Sequence, residues 1–366
     1  MSKAADLART ASASETALGN RNVVINGAMQ VAQRATSVAS ITADGYYTLD
    51  RWKSRIITMG TWTQTQSTDV PTGAGFATSL KMDCTTADGS PAATDVVQFF
   101  YGIEGQDVQQ LKYGTPDAEQ LTLSFWVKAT KTGLNVVTLY QDDPAKSVSG
   151  TYTISTSNTW EYKTLTFVGN TADVIANDNT RGLLVIWELG AGSNRTSGTL
   201  KTTWTDFIEA NESVGQVNNA DSTSNDWLIT GVQLEVGTVA TPFEHRSYGQ
   251  ELALCQRYYE KSYDTTVAPA TDTVNGTYNF AGSSEGNGNV IVPIIFSVAK
   301  RAAPTMKGYR KAGTADSWNF DRSGSSTAGA ITFDRIGVNQ TRAYIAAGAN
   351  FVEVYVYGHW VADAEL

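Results

Sequence analysis

The chain has few of the residues that do chemistry. Its 366 residues include two cysteines and two histidines. Cys84 and Cys255 stand far apart with no Cys-x-x-Cys spacing, so neither a zinc knuckle nor a redox pair is expected. His245 and His359 have no further histidine at ligand spacing, so no metal or other cofactor is expected. Charge is also sparse, with Asp, Glu, Lys and Arg making up 17% of the chain. Long solvent-facing helices need more Glu, Lys and Arg than this. The net charge is −9 and the pI about 4.8. With no basic cluster, phosphate-backbone recognition is not expected, which leaves nucleic acid off the list of partners. No apolar run approaches the length of a membrane span, and the N-terminus has no apolar core of a secretory signal. Membrane insertion and secretion are therefore not expected. No Walker loop or dinucleotide fingerprint appears. Gly282 to Gly286 matches G-x-S-x-G but lacks the strand-to-helix setting of a nucleophile elbow, so it reads as a polar turn.

What is abundant is glycine, with 32 residues, and aromatics, with nine Trp and sixteen Tyr. Short alternating runs sit between Gly-, Asn-, Ser- and Asp-rich turns, the pattern of a β-sandwich or jelly roll. Strands are expected to begin at Val23 and Ile25, before the Asn26-Gly27 turn. Leu121, Leu123, Phe125, Val127 and Ala129 alternate with polar partners, which puts Trp126 on the polar face. Leu183 to Leu189 is apolar on both faces and reads as a central strand. Trp160 and Tyr162 have the opposite parity to Leu165 and Phe167, which suggests a bulge. Trp52, Trp187 and Trp227 read as core. Pro293 marks an edge strand in the last hundred residues, where Val352, Val354, Val356 and Trp360 face a second core.

The stretch Gly231 to Tyr263, GVQLEVGTVATPFEHRSYGQELALCQRYYEKSY, divides the chain. Leu228, Val232, Leu234 and Val236 fall on one strand face and Gln233 and Glu235 on the other. Glu251 to Ser262 then reads as a short helix with Leu252, Cys255 and Tyr259 on one side. The expected organisation is mainly β. An N-terminal arm occupies 1–20, a jelly-roll sandwich 21–248, a linker helix 249–263 and a smaller β domain 264–366. The arm, rich in Ala, Ser and Thr, cannot form a core alone.

That stretch, the opening run NVVINGAMQVAQR at Asn22 to Arg34, Leu49-Asp50-Arg51-Trp52, and the C-terminal Ala362 to Leu366 resemble the punctuation of bacteriophage tail-fibre and virion-appendage proteins. The jelly-roll part is similar in style to carbohydrate-binding modules. The resemblance implies a structural virion protein, assembled in the host bacterial cytoplasm, that trimerises and adsorbs to host surface glycan. It places the N-terminal end on the particle, so residues 1–20 are expected to dock onto other virion proteins. Leu252, Cys255 and Tyr259 are expected at the trimer axis. A capsid-bound head fibre or decoration protein is the alternative within virions, and a polysaccharide depolymerase the alternative of another class.

Sugar rings have apolar faces that stack on aromatic rings and hydroxyls that need polar neighbours. Tyr46, Tyr47, Trp62, Trp126 and Trp318 sit among such neighbours. Trp318, Tyr344 and Arg322, beside the loops Gly282 to Asn289, Gly313 to Thr327 and Val338 to Arg342, make the C-terminal domain the expected recognition surface. Trp126, Tyr46 and Tyr47 are the candidates in the jelly roll. The acid pairs Asp142-Asp143, Asp173-Asp178 and Asp221-Asp226 lie in loops, where solvation, Ca²⁺ binding or glycan hydrolysis are all open. No catalytic residue is assigned and no enzyme activity is expected.

Overall fold

The computed structural model describes residues 21–283, 288–322, 325–346 and 353–366, with the side chains of Arg322 and Ser325 excepted. The expected arm, 1–20, lies outside the described residues, as do Glu285 and Val352. Strands are numbered in chain order. Two six-stranded sheets form the first unit. The first sheet runs β1 (Ser37–Ile41), β3 (Thr61–Ser67), β4 (Ser79–Thr86), β12 (Asp226–Val236), β6 (Leu121–Ala129) and β9 (Glu161–Phe167). The second runs β11 (Thr205–Asp206), β8 (Lys146–Ile154), β7 (Gly133–Gln141), β10 (Arg181–Ala191), β5 (Val96–Glu104) and β2 (Trp52–Ile57). Each pairs antiparallel throughout, and alternation sends one face of each sheet into a shared core.

That core is aromatic. Trp52 stacks on Phe99 at 5.0 Å, Phe125 meets Trp187 edge-on at 5.8 Å, and Trp227 donates from Nε1 to the Tyr152 hydroxyl at 3.3 Å. The three tryptophans read as core are fully buried, and so is Trp62. As expected, β10 is central, between β7 and β5.

Three details differ from the expected pattern. Val23 and Ile25 are not strand residues, because Asn26 uses its side chain to tie Val31 and Asp50 into a turn; the first strand starts at Ser37. No bulge is needed in β9, whose register with β6 is unbroken. A bulge lies instead in β12, between Thr230 and Gln233. It shifts parity, so Trp227 and Ile229 point inward before it and Val232 and Leu234 after it, while Leu228 faces outward opposite Lys128 and Val236 is exposed. Gly231 has φ +62° there, and a Cβ would strike the Phe76 ring at 2.5 Å.

The second unit is one sheet in the order β13 (Tyr259–Lys261), β20 (Val354–Asp363), β17 (Ser317–Arg322), β18 (Ser325–Asp334), β19 (Gln340–Ala346) and β15 (Asn289–Ile295), with β14 (Tyr278–Gly282) and β16 (Thr305–Tyr309) also paired to β20. Pro293 is on β15, the expected edge. Val354, Val356 and Trp360 are in its core.

The linker helix is shorter than expected. After a four-residue helix α1 (Ser193–Thr196) in the first unit, α2 spans Tyr248–Gln256, opened by a Ser247/Gln250 capping box. The chain then turns into strand, because Tyr259–Lys261 pair with the end of β20. Cys255 and Tyr259 are covered by their own chain, with the Arg34 guanidinium 3.7 Å over the Tyr259 ring. They are therefore not free to meet a symmetry mate; of the expected interface residues, only Leu252 is half-exposed.

The two units are joined by buried charge. Arg51 pairs with Glu365, donates to the Gly102 carbonyl at 2.6 Å and lies 3.4 Å from the Tyr258 ring centre. Glu104 accepts two bonds from Arg257, at 2.8 and 2.7 Å, and one from the Tyr258 hydroxyl at 2.5 Å. Arg301 holds the Ala364 and Glu365 carbonyls and the Asn179 carbonyl of the first unit.

Candidate functional site

The structure scatters the six residues expected to bind glycan. Trp318 is fully buried, donates from Nε1 to the His359 carbonyl at 2.8 Å and belongs to the second core. Its polar neighbours in sequence are strand alternation, so it is not a sugar platform. Tyr344 lies half-buried under the Arg342 guanidinium, 4.5 Å away, which is itself held bidentate by Asp334. Arg322 ends β17 and its side chain is outside the described residues. Tyr46 is occupied too, its hydroxyl donating to the Leu366 carbonyl and its ring covered by Arg34 and Lys53. Tyr47 folds back onto the Ala43 carbonyl. Trp126 lines a groove on the outer face of the first sheet.

The acid pairs are engaged as well. Arg181 binds Asp142 through two bonds of 2.5 and 2.9 Å. Lys146 reaches Asp173, Lys131 pairs with Asp221, Lys81 binds Asp226, and Asp178 accepts from Thr180. Among the described residues, no three His, Cys, Asp or Glu side chains gather as a metal site.

A cleft of about 440 Å³ that the sequence did not reveal lies on the outer face of the second sheet. It is built in cross-strand rows. Phe100 of β5 stands opposite Ile186 of β10, and Leu184 of β10 opposite Tyr140 of β7. These side chains form an apolar floor separate from the main core. Phe207 meets Tyr140 edge-on at 5.1 Å. Beside the floor runs a polar row of Arg55, Gln98 and Glu188 from β2, β5 and β10. One wall is the Arg181–Asp142 pair. The other is Arg195 of α1, whose guanidinium binds Glu209 at 2.8 Å and also Glu212.

Hydrogen-bonding capacity in this cleft is not used up. The Arg55 side chain makes no hydrogen bond or ion pair among the described residues, nor does the Tyr140 hydroxyl. Arg195 Nε and Gln98 Oε1 are buried without a partner among those residues. The Arg55 guanidinium and the Tyr140 hydroxyl line the cleft, so both are free to pair with a bound ligand. Burial pushes the Glu188 carboxyl up to about 7, against hydrogen bonds from Ser213 and Gln98 and the charges of Arg195 and Arg55. Burial, with the charge of Arg55, also lowers Arg195 from its ordinary value. An apolar strip edged by planar donors and acceptors suits an amphipathic polyol, with its ring face on the floor and its hydroxyls on the edges.

No protein-family model and no curated protein matches the chain. Among solved structures, it is similar to the bacteriophage CBA120 tailspike protein 4 enzymatically active domain. The identity is 15% and the TM-score 0.31, over 59% of this chain and 22% of that one. The chain thus spans about a fifth of that domain. It is also similar to a structure described as CBM4, at 13% identity and TM-score 0.30, over 58% of this chain and 98% of that one. A third similarity is to TmCBM61 in complex with β-1,4-galactotriose, at 11% identity and TM-score 0.27, over 60% and 100%.

Proposed function

We propose that the chain is a glycan-binding structural appendage of a bacteriophage particle, and that the cleft on the second sheet holds the glycan. The observation that carries the binding role is the Arg55 guanidinium and the Tyr140 hydroxyl, which line the cleft beside the Phe100–Ile186–Leu184 floor and make no side-chain bond among the described residues. Binding fits better than hydrolysis, because Asp142 and Glu212 are neutralised by arginines and Glu188 is tied to Gln98 and Ser213. A carboxylate held this way is poorly placed to transfer protons to a ligand. The virion role, trimerisation and docking through residues 1–20 rest on the sequence resemblance to phage appendage proteins. Recognition moves from the C-terminal domain to the jelly roll, since Trp318 is core and Tyr344 is covered.

The binding role is tested by titrating the full chain with soluble neutral oligosaccharides and with host surface polysaccharide. Saturable binding that Arg55→Met weakens at least tenfold supports the reading; binding untouched by Arg55→Met places the site elsewhere. Release of shorter sugars would move the reading to the depolymerase. Immunogold labelling of particles with antibody against the chain tests the virion role and separates tail from head.

A further inference from the structure

We propose that the outer face of the first sheet carries a second sugar site, a groove around Trp126 that takes a neutral pyranose unit. The groove encloses about 510 Å³, within the range of small-ligand sites. One side is the cross-strand pair Trp126 of β6 and Tyr162 of β9, with ring centres 5.3 Å apart. The facing side is Phe76, Phe243 and His245, whose three ring contacts span 4.9 to 5.4 Å. The β12 bulge makes this wall possible, because Gly231 leaves room for Phe76 to lie against the strand.

Polar groups set this groove apart from the rest of the face. Toward one end Thr122 bonds Thr166 and the Gly237 carbonyl, and Gln233, Glu235 and Thr241 bond one another. Toward the other, Asp69 takes Lys128 and the Trp160 indole. Between them, Trp126 Nε1, the Tyr162 hydroxyl, Ser124 Oγ and both ring nitrogens of His245 have no hydrogen-bond partner among the described residues. Aromatic faces ringed by unused donors and acceptors complement the two surfaces of a pyranose, its C–H face and its hydroxyl edge. None of the described Asp, Glu, Lys or Arg residues lines the groove. A charged sugar would lose its hydration there with no carboxylate, ammonium or guanidinium to meet it, which favours a neutral ligand. The two sites lie on opposite faces of one sandwich and can hold two glycan strands at once, which raises avidity without raising either affinity.

The test is calorimetric titration of the full chain with neutral tetrasaccharides of glucose, galactose, mannose and xylose, with melting curves to check folding. Two equivalents per chain are expected for at least one probe. Trp126→Ala/Tyr162→Ala removes one equivalent and leaves the other, while Arg55→Met does the reverse. One equivalent abolished by Arg55→Met and untouched by the aromatic pair overturns the groove and leaves the cleft standing. One equivalent abolished by the aromatic pair alone supports the groove and overturns the cleft. Binding by no probe overturns the groove, as does a change of sedimentation without loss of sugar, which would make this face an interface between copies.

Discussion

Aromatic residues with polar neighbours in sequence meet different fates in the two units. In the first, Trp126, Tyr162, Tyr140 and Phe207 stand on outer faces beside polar groups with bonds left to make. In the second, Trp318 is buried and Tyr344 is covered by Arg342. An aromatic residue among polar neighbours therefore says only that a strand alternates. Which face it lands on is decided by strands distant in sequence. Trp318 is buried because it lies against Gly358 of β20, where any Cβ would come within 2.5 Å of its ring.

The sharpest way to test this contrast is to remove the ring that was expected to bind. Trp318→Ala should cost about 4 kcal/mol, a transfer and cavity loss, and lower the melting temperature markedly. Sugar affinity measured well below that temperature should stay the same. A folded Trp318→Ala protein with lost binding would return recognition to the second unit. Next comes the seam between the units. Glu365→Gln leaves Arg51 buried without its counter-charge and should cost about 3 kcal/mol. Calorimetry should then show two melting steps where the parent shows one cooperative step.

The alternation of Leu121 to Ala129, the centrality of Leu183 to Leu189 and the edge position marked by Pro293 were legible because each is a local pattern. The cleft was not. Arg55, Gln98 and Glu188 are separated by 43 and 90 residues of chain and meet only through the β2–β5–β10 register. Phe100, Leu184 and Ile186 sit in strands apolar on both faces, so nothing in the sequence distinguishes the cleft floor from the core. The Trp126 groove was half legible. Parity put Trp126 outward, but the opposite wall depends on Phe76 and Phe243 meeting across the β12 bulge. The helix was overextended for a related reason, since the pull of β20 on Tyr259–Lys261 is long-range.

A smaller effect separates the buried polar row of the cleft from the solvated charges elsewhere. Glu188 has a folded value of about 7 against an ordinary 4.5. Its contribution to stability is complete below the ordinary value and is lost as pH rises through about 7. Urea unfolding at pH 5 and pH 8 should therefore show Glu188→Gln gaining on the parent by about 2 kcal/mol at the higher pH. The groups facing Glu188 are Ser213 and Gln98, which hydrogen-bond to it, and the charged Arg195 and Arg55. Equal pH slopes for parent and variant would mean the carboxyl is better solvated than its burial indicates.

The mildest change asks whether the cleft is a recognition site at all. Arg55 is half-buried on β2, in register with Gln98, and spends none of its donors on the protein. A side chain that makes no internal bond contributes little to folding beyond its methylene packing, so Arg55→Met should melt within a degree or two of the parent. Its guanidinium can instead give two parallel bonds to neighbouring sugar hydroxyls, on the same cleft as the unbonded Tyr140 hydroxyl. Losing that fork should weaken sugar binding at least tenfold, about 1.4 kcal/mol. The same substitution at Arg342, whose donors are held by Asp334, should leave affinity unchanged. If both variants bind like the parent, the open arginine of the first unit is no more a recognition element than the closed one of the second.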